Sequence, residues 1–190
     1  MTKAPISRFS VPDLDELPAD VRERIQAVSE KTGFVPNVFL ALARRPDEFR
    51  AFFAYYDALM LRDGGLSRAE KEMIVVATSA ANQCPYCIVA HGALLRLLSK
   101  NPLLGDQVAV NYRSADISPR QRAMLDAALT LATAPQNFGE EDIQALLAHG
   151  FTKEDVWDIG AITGLFALSN RMAHLTDMRP NEEFYSLGRS

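Results

Sequence analysis

Two cysteines, three histidines and one tryptophan are a thin supply of reactive and stacking side chains for 190 residues. With Cys84 and Cys87 as the only thiols, no disulfide framework of the kind that staples small secreted domains can form. No basic run exceeds Arg44-Arg45, and the net charge is −4, which argues against nucleic acid as a partner. No apolar run approaches the roughly 20 residues that cross a bilayer, and Met1-Thr2-Lys3-Ala4-Pro5 leads into a polar, acidic stretch rather than a signal-like segment. A cytoplasmic chain with no membrane partner is the expectation. What is present is apolar bulk, 48% of residues against 23% charged, enough to bury one core or two small related halves.

Strand-like alternation is also missing, and the pattern is helix after helix. Pro18-Ala19-Asp20 opens a helix with Val21, Ile25 and Val28 on one face, ending near Gly33. Pro36-Asn37 leads into a second over Val38 to Ala43, and Pro46-Asp47 into a third running to about Leu61, broken by Asp63-Gly64-Gly65. Ser67-Arg68-Ala69-Glu70 reads as a capping box opening a helix to Ala81. Helices are further expected over Pro85 to Leu98, Asp106 to Tyr112, Ser118-Pro119 to Ala132, Gly139 to His149 and Thr152 to Ala173. The tail from Arg179 reads as extended. Residues 66–77 find a faint echo in residues 117–128, where Met73 aligns with Met124, Ile74 with Leu125 and Ala77 with Ala128. The prediction is an all-α bundle in a single domain over 1–190: a motif-bearing half, about 20–100, a second half, about 101–178, and a tail, 179–190. The echo points to an internal helical repeat.

Cys84-Pro85-Tyr86-Cys87 is the chemically informative segment, followed by His91 and preceded by Glu72. With Cys84 as N-cap and Pro85 at the first helical position, steps of about 100° place Cys84, Cys87 and His91 within an arc of roughly 60°. Leu94, Leu95 and Leu98 continue the stripe, so the thiols face inward while the first turn, Cys84 above all, is expected near solvent. Unpaired N–H groups and the positive end of the helix dipole favour a thiolate there. Glu72 runs into the apolar Met73-Ile74-Val75-Val76-Ala77, where a carboxylate is expected to be partly buried and to serve as proton acceptor or donor. A turn at Asn82-Gln83 would fold the two helices together and bring Glu72 near Cys87 and His91.

Glu72, eleven intervening residues, then Cys84-x-x-Cys87-x-x-x-His91 resembles the alkylhydroperoxidase AhpD core of the carboxymuconolactone decarboxylase-like superfamily, in particular its peroxidase-related branch. Phe34-Val35-Pro36-Asn37, Leu66-Ser67, Gly150-Phe151 and Asn170-Arg171 look like the same branch, so roughly residues 20 to 178 are covered. The resemblance implies an AhpD-like helical bundle and a thiol-dependent hydroperoxide reductase. Cys87 would be attacked by hydroperoxide, Cys84 would resolve the sulfenic acid to a disulfide, and Glu72 and His91 would relay protons. It further implies no cofactor and no metal, an external dithiol reductant (a lipoyl-bearing or thioredoxin-like protein), and assembly as trimers, dimers or hexamers. Where the best-studied members carry a histidine before the second cysteine, this chain has Tyr86. A phenol is a poor base but a hydrogen-bond donor, and its ring is equally suited to packing against a neighbouring helix or subunit.

Rival readings remain at this stage. The pair could be a buried structural one, or Cys84, Cys87 and His91 could be zinc ligands, although a closed site wants four and no second pair exists. The protein could be a redox sensor or disulfide-exchange protein with little turnover, or a decarboxylase or lactone-type proton-transfer enzyme, a branch that works without paired cysteines. His149 reads as a helix cap, and His174, between Met172 and Leu175, is open. Phe49, Phe52, Phe53, Tyr55 and Tyr56 are too dense for one helix face, and some are expected to meet another subunit or the substrate entrance.

Overall fold

The computed structural model describes residues 5–189; the reading of Met1–Ala4 as an unremarkable N-terminus lies outside them. Among the described residues ten α-helices follow one another: α1 (Ala19–Thr32), α2 (Asn37–Leu42), α3 (Pro46–Tyr56), α4 (Arg68–Ala81), α5 (Pro85–Ser99), α6 (Leu104–Asn111), α7 (Pro119–Thr133), α8 (Glu140–Ala148), α9 (Lys153–Thr176) and α10 (Glu183–Ser186). No strand occurs among the described residues. The fold is all-α.

Local chemistry sets most boundaries. Ser67, Ser118 and Thr152 each accept from the backbone N–H three residues on, and the third helical residue of each helix, Glu70, Gln121 or Asp155, reaches back to the cap. Losing such a cap typically costs about 1 kcal/mol. Gly33 ends α1 at φ 83°, the left-handed conformation that glycine adopts without strain.

The centre of the bundle is α4, whose residues from Glu70 to Ser79 are all buried and which lies against α5, α6, α7 and α9. The two halves share one core: Met73, Ile74 and Leu95 meet Met124, Leu125, Ile159 and Ile162 in a single cluster. The aligned pairs of the sequence echo are all part of it, Met73 and Met124, Ile74 and Leu125, Ala77 and Ala128, and both helices open on a capping box. Phe39, Phe49 and Phe53 fill a separate cluster under α1, with the rings of Phe39 and Phe53 stacked at 4.2 Å. Of the five aromatic residues on α3, Tyr55 is the exposed one.

Two stretches depart from expectation. The helix beginning at Pro46 does reach Leu61, but its last five residues, Asp57–Leu61, form a π-turn. Lys71, fully buried, sends its ammonium to the carbonyls of Leu59 (2.8 Å) and Arg62 (2.6 Å), satisfying acceptors at the end of this wider turn. The tail is not extended throughout. Asp177 ends α9 in the left-handed region and the Met178 N–H returns to Ala173 O at 2.9 Å, a Schellman closure that reverses the chain. Residues 183–186 then coil into α10, with Phe184 buried and edge-on to Phe34 at 5.0 Å. The buried guanidinium of Arg96 donates to the carbonyls of Phe184 (2.8 Å) and Leu187 (3.0 Å). A buried guanidinium left without acceptors would be costly, so the tail and α5 stabilise each other.

Candidate active site

The turn between α4 and α5 is three residues long. Gln83 is left-handed at φ 51°, and the Cys84 N–H returns to Ser79 O at 3.0 Å while the Cys84 carbonyl accepts from Ile88 N at 3.1 Å. Cys84 thus closes one helix and starts the next, in the predicted N-cap position with Pro85 behind it. So short a turn makes α4 and α5 antiparallel neighbours, which carries Glu72 to His91. Glu72 Oε2 stands 2.7 Å from His91 Nδ1, with both side chains largely buried, and the His91 ring meets Phe166 edge-on at 4.7 Å.

Both cysteines are free thiols and both are buried. Cys84 is 0% exposed, which corrects the expectation that the first turn of α5 stays near solvent. They lie in an apolar cluster with Ala41, Tyr86, Ala90, Ala93, Ala173, Met178 and Phe184, with Phe34 and Val38 against it. The cover thus comes from α2, from the end of α9 and from the returning tail, elements remote from the motif in sequence.

The two thiols act on each other's ionisation in opposite directions. The Cys87 thiol donating to Cys84 holds the Cys84 pKa down, at about 7; burial opposes this, and the Cys87 backbone N–H and the charges of His174 and His91 assist. Cys87 is pushed well above an ordinary thiol, first by holding its proton against Cys84 and then by burial, while Ser169 and Asn170 pull the other way. Of the two thiols, Cys84 is therefore the one that ionises first.

The Tyr86 hydroxyl takes no part in the contacts among Glu72, His91 and the thiols. It accepts the Val38 N–H at 3.1 Å, in the first turn of α2, and burial pushes the phenol further up from base chemistry. Its visible role is to anchor α2 over the thiols.

Sequence reasoning missed the α9 side of the site. Ser169 Oγ is 3.7 Å from Cys87 Sγ, and Asn170, 1% exposed, donates to Ser79 Oγ and accepts from Asn82 Nδ2, each at 3.0 Å. His174 adds its ring nitrogen to Asn82 O at 2.9 Å, next to the turn that carries Cys84. The available signal was a polar Ser169-Asn170 pair inside the apolar face of a long helix. His149 ends α8, its ring on Ala145 O at 2.9 Å. Among the described residues no three His, Cys, Asp or Glu side chains converge as a metal-ligand set, so the zinc reading of Cys84, Cys87 and His91 finds no geometry here. No helix among them is long and apolar enough to cross a membrane.

An antiparallel α4–α5 hairpin with a buried dithiol at the turn and a Glu–His pair inside defines a class. The model of the carboxymuconolactone decarboxylase family matches residues 46–128, from α3 into α7. An uncharacterized peroxidase-related protein from Ralstonia eutropha JMP134, whose crystal structure is described as an alkylhydroperoxidase AhpD core, is 65% identical over 99% of each chain and superposes with a TM-score of 0.98. An uncharacterized peroxidase-related protein from Silicibacter sp. TM1040 is 41% identical over 100% of this chain and 99% of that one, with a TM-score of 0.94. The debrominase Bmp8 shares the fold at 17% identity, with 98% and 97% coverage and a TM-score of 0.73. A search of functionally curated proteins finds no significant match. The chain belongs to the AhpD-like carboxymuconolactone decarboxylase superfamily.

Proposed function

We propose that this protein is a thiol-dependent hydroperoxide reductase. The observation that carries the reading is the buried dithiol, set one helical turn from a Glu72–His91 pair joined at 2.7 Å. A hydroperoxide entering the apolar cluster meets Cys87. Passage of the Cys87 proton along the S–H···S contact to Cys84 moves the negative charge onto Cys87, which attacks the terminal peroxide oxygen. The S–O bond forms as the O–O bond breaks: sulfur is oxidised to a sulfenic acid, and the peroxide leaves as an alkoxide that takes a proton from the Glu72–His91 pair. Cys84 then attacks the sulfenic sulfur, the disulfide forms, and the Cys84 proton leaves with the expelled hydroxide as water. An external dithiol supplies two electrons to restore the thiols. The relatives' peroxidase-related names agree with this reading.

Turnover of cumene hydroperoxide with dihydrolipoamide as reductant tests it. The wild-type protein should consume peroxide catalytically. Cys87→Ser should abolish turnover, and Glu72→Gln should lower kcat by roughly 10²- to 10⁴-fold, the range of a proton-transfer group. Burial of both thiols favours a second reading, a redox sensor whose disulfide rearranges the covering segments. One round of oxidation without turnover by any dithiol would select it.

A further inference from the structure

Three hydroxyl residues lie along α9, and one of them behaves differently. Thr163 donates to the carbonyl four residues before it, Ile159, at 2.8 Å, and Thr176 likewise to Met172 at 2.8 Å, the usual resting place of a helical hydroxyl. Ser169 is buried as well, at 9% exposure, yet its hydroxyl faces the Cys87 sulfur at 3.7 Å. The neighbouring side chain holds it there. Asn170 has its amide bound to Ser79 at the end of α4 and to Asn82 in the turn before Cys84, which locks the register of α9 against the hairpin that carries both thiols. A sulfur that takes up negative charge while buried in this apolar cluster is stabilised most by a donor already in place, a charge-assisted hydrogen bond being the strongest kind.

We propose that Ser169 is a catalytic residue whose hydroxyl donates to the Cys87 sulfur as the charge moves onto it for attack, with Asn170 as the residue that positions it. This rests on the hydroperoxide-reductase reading for its place in a reaction, but the contact itself does not depend on peroxide. Ser169, and after it Asn170, act on Cys87 in the direction that favours the anion.

The test uses the full chain with Cys84→Ala, so that Cys87 titrates alone, and follows thiolate ultraviolet absorbance against pH. Ser169→Ala should raise the Cys87 midpoint by about one pH unit, a tenfold loss of thiolate below that midpoint, and should slow the loss of the Cys87 thiol to cumene hydroperoxide about tenfold at neutral pH. Ser169→Thr, which keeps the hydroxyl, should restore both. Ser169→Val has the shape of the threonine form without the donor, so the Thr/Val pair carries the comparison even if the alanine form fails to fold. Identical midpoints in the threonine and valine forms would overturn the proposal. A midpoint that moves in a protein that ignores hydroperoxide would instead sink the reductase reading and leave Ser169 as the thiolate donor.

Discussion

Cys84 and Cys87 sit one turn apart and divide the work of a single proton. Because the Cys87 thiol donates to Cys84, Cys84 ionises near pH 7. Removing the donor reverses the larger effect: in Cys87→Ala the thiolate absorbance of Cys84 should appear only at higher pH, toward or above the ordinary thiol value, since burial then acts with less opposition. A midpoint still near 7 would show that the helix terminus or the histidines, not Cys87, hold it down. The sign for stability follows. An acid whose folded pKa is depressed stabilises the fold fully above its unfolded value and loses that contribution as pH falls to the folded one, so the Cys84 contribution should be full above the ordinary thiol range, shrink as pH falls toward about 7 and be gone below it. Glu72, Cys84, Cys87 and His91 were legible in the sequence because their spacing is intrahelical or bridges one short turn. Which thiol carries the charge was not, because it depends on the S–H···S contact and on residues of α9 more than 80 positions away. Tyr86 was half legible: its departure from the Cys–His arc follows from helical projection, whereas its bond to Val38 needed the fold.

Among the elements, α2 and the returning tail form a cover whose latch is specific. Asn181 Oδ1 accepts the Asn37 N–H at 2.7 Å and Asn181 Nδ2 donates to Val35 O at 2.9 Å, while Asn37 Nδ2 donates to Arg179 O at 2.8 Å. These bonds tie the approach to α2 directly to the tail, above a buried dithiol. Asn181→Ala leaves two backbone groups to find new partners, at about 1–3 kcal/mol for each one that stays buried and unpaired. The expected outcome is a lower melting temperature together with faster reaction of Cys84 with a bulky aromatic disulfide in native buffer. An unchanged rate would mean that reagents reach the thiols by another path. Helix boundaries were largely legible because caps are local: Ser67, Ser118 and Thr152 each announce themselves within four residues. The π-turn at Asp57–Leu61 and the coiling of the tail were not, since the first is satisfied by Lys71 from α4 and the second by Arg96 from α5.

At the scale of the whole molecule, the helices are joined through one core around α4 and α7, and on the surface Tyr55 and Trp157, 48% and 74% exposed, line an apolar groove with Phe138, Ile143 and Val156. If the chain self-associates as its resemblance implied, this face is where we expect burial. Trp157→Asp should then lower the particle mass seen by light scattering, and an unchanged mass would put any interface elsewhere. The proposed chemistry does not depend on that outcome, since Glu72, His91, both thiols and Ser169 come from one chain. The most direct check is the intact mass and free-thiol count of the reduced protein before and after one equivalent of an organic hydroperoxide. Loss of both thiols with a fall of about two mass units, the signature of a disulfide, is the predicted result. Two thiols still free and an unchanged mass would contradict it.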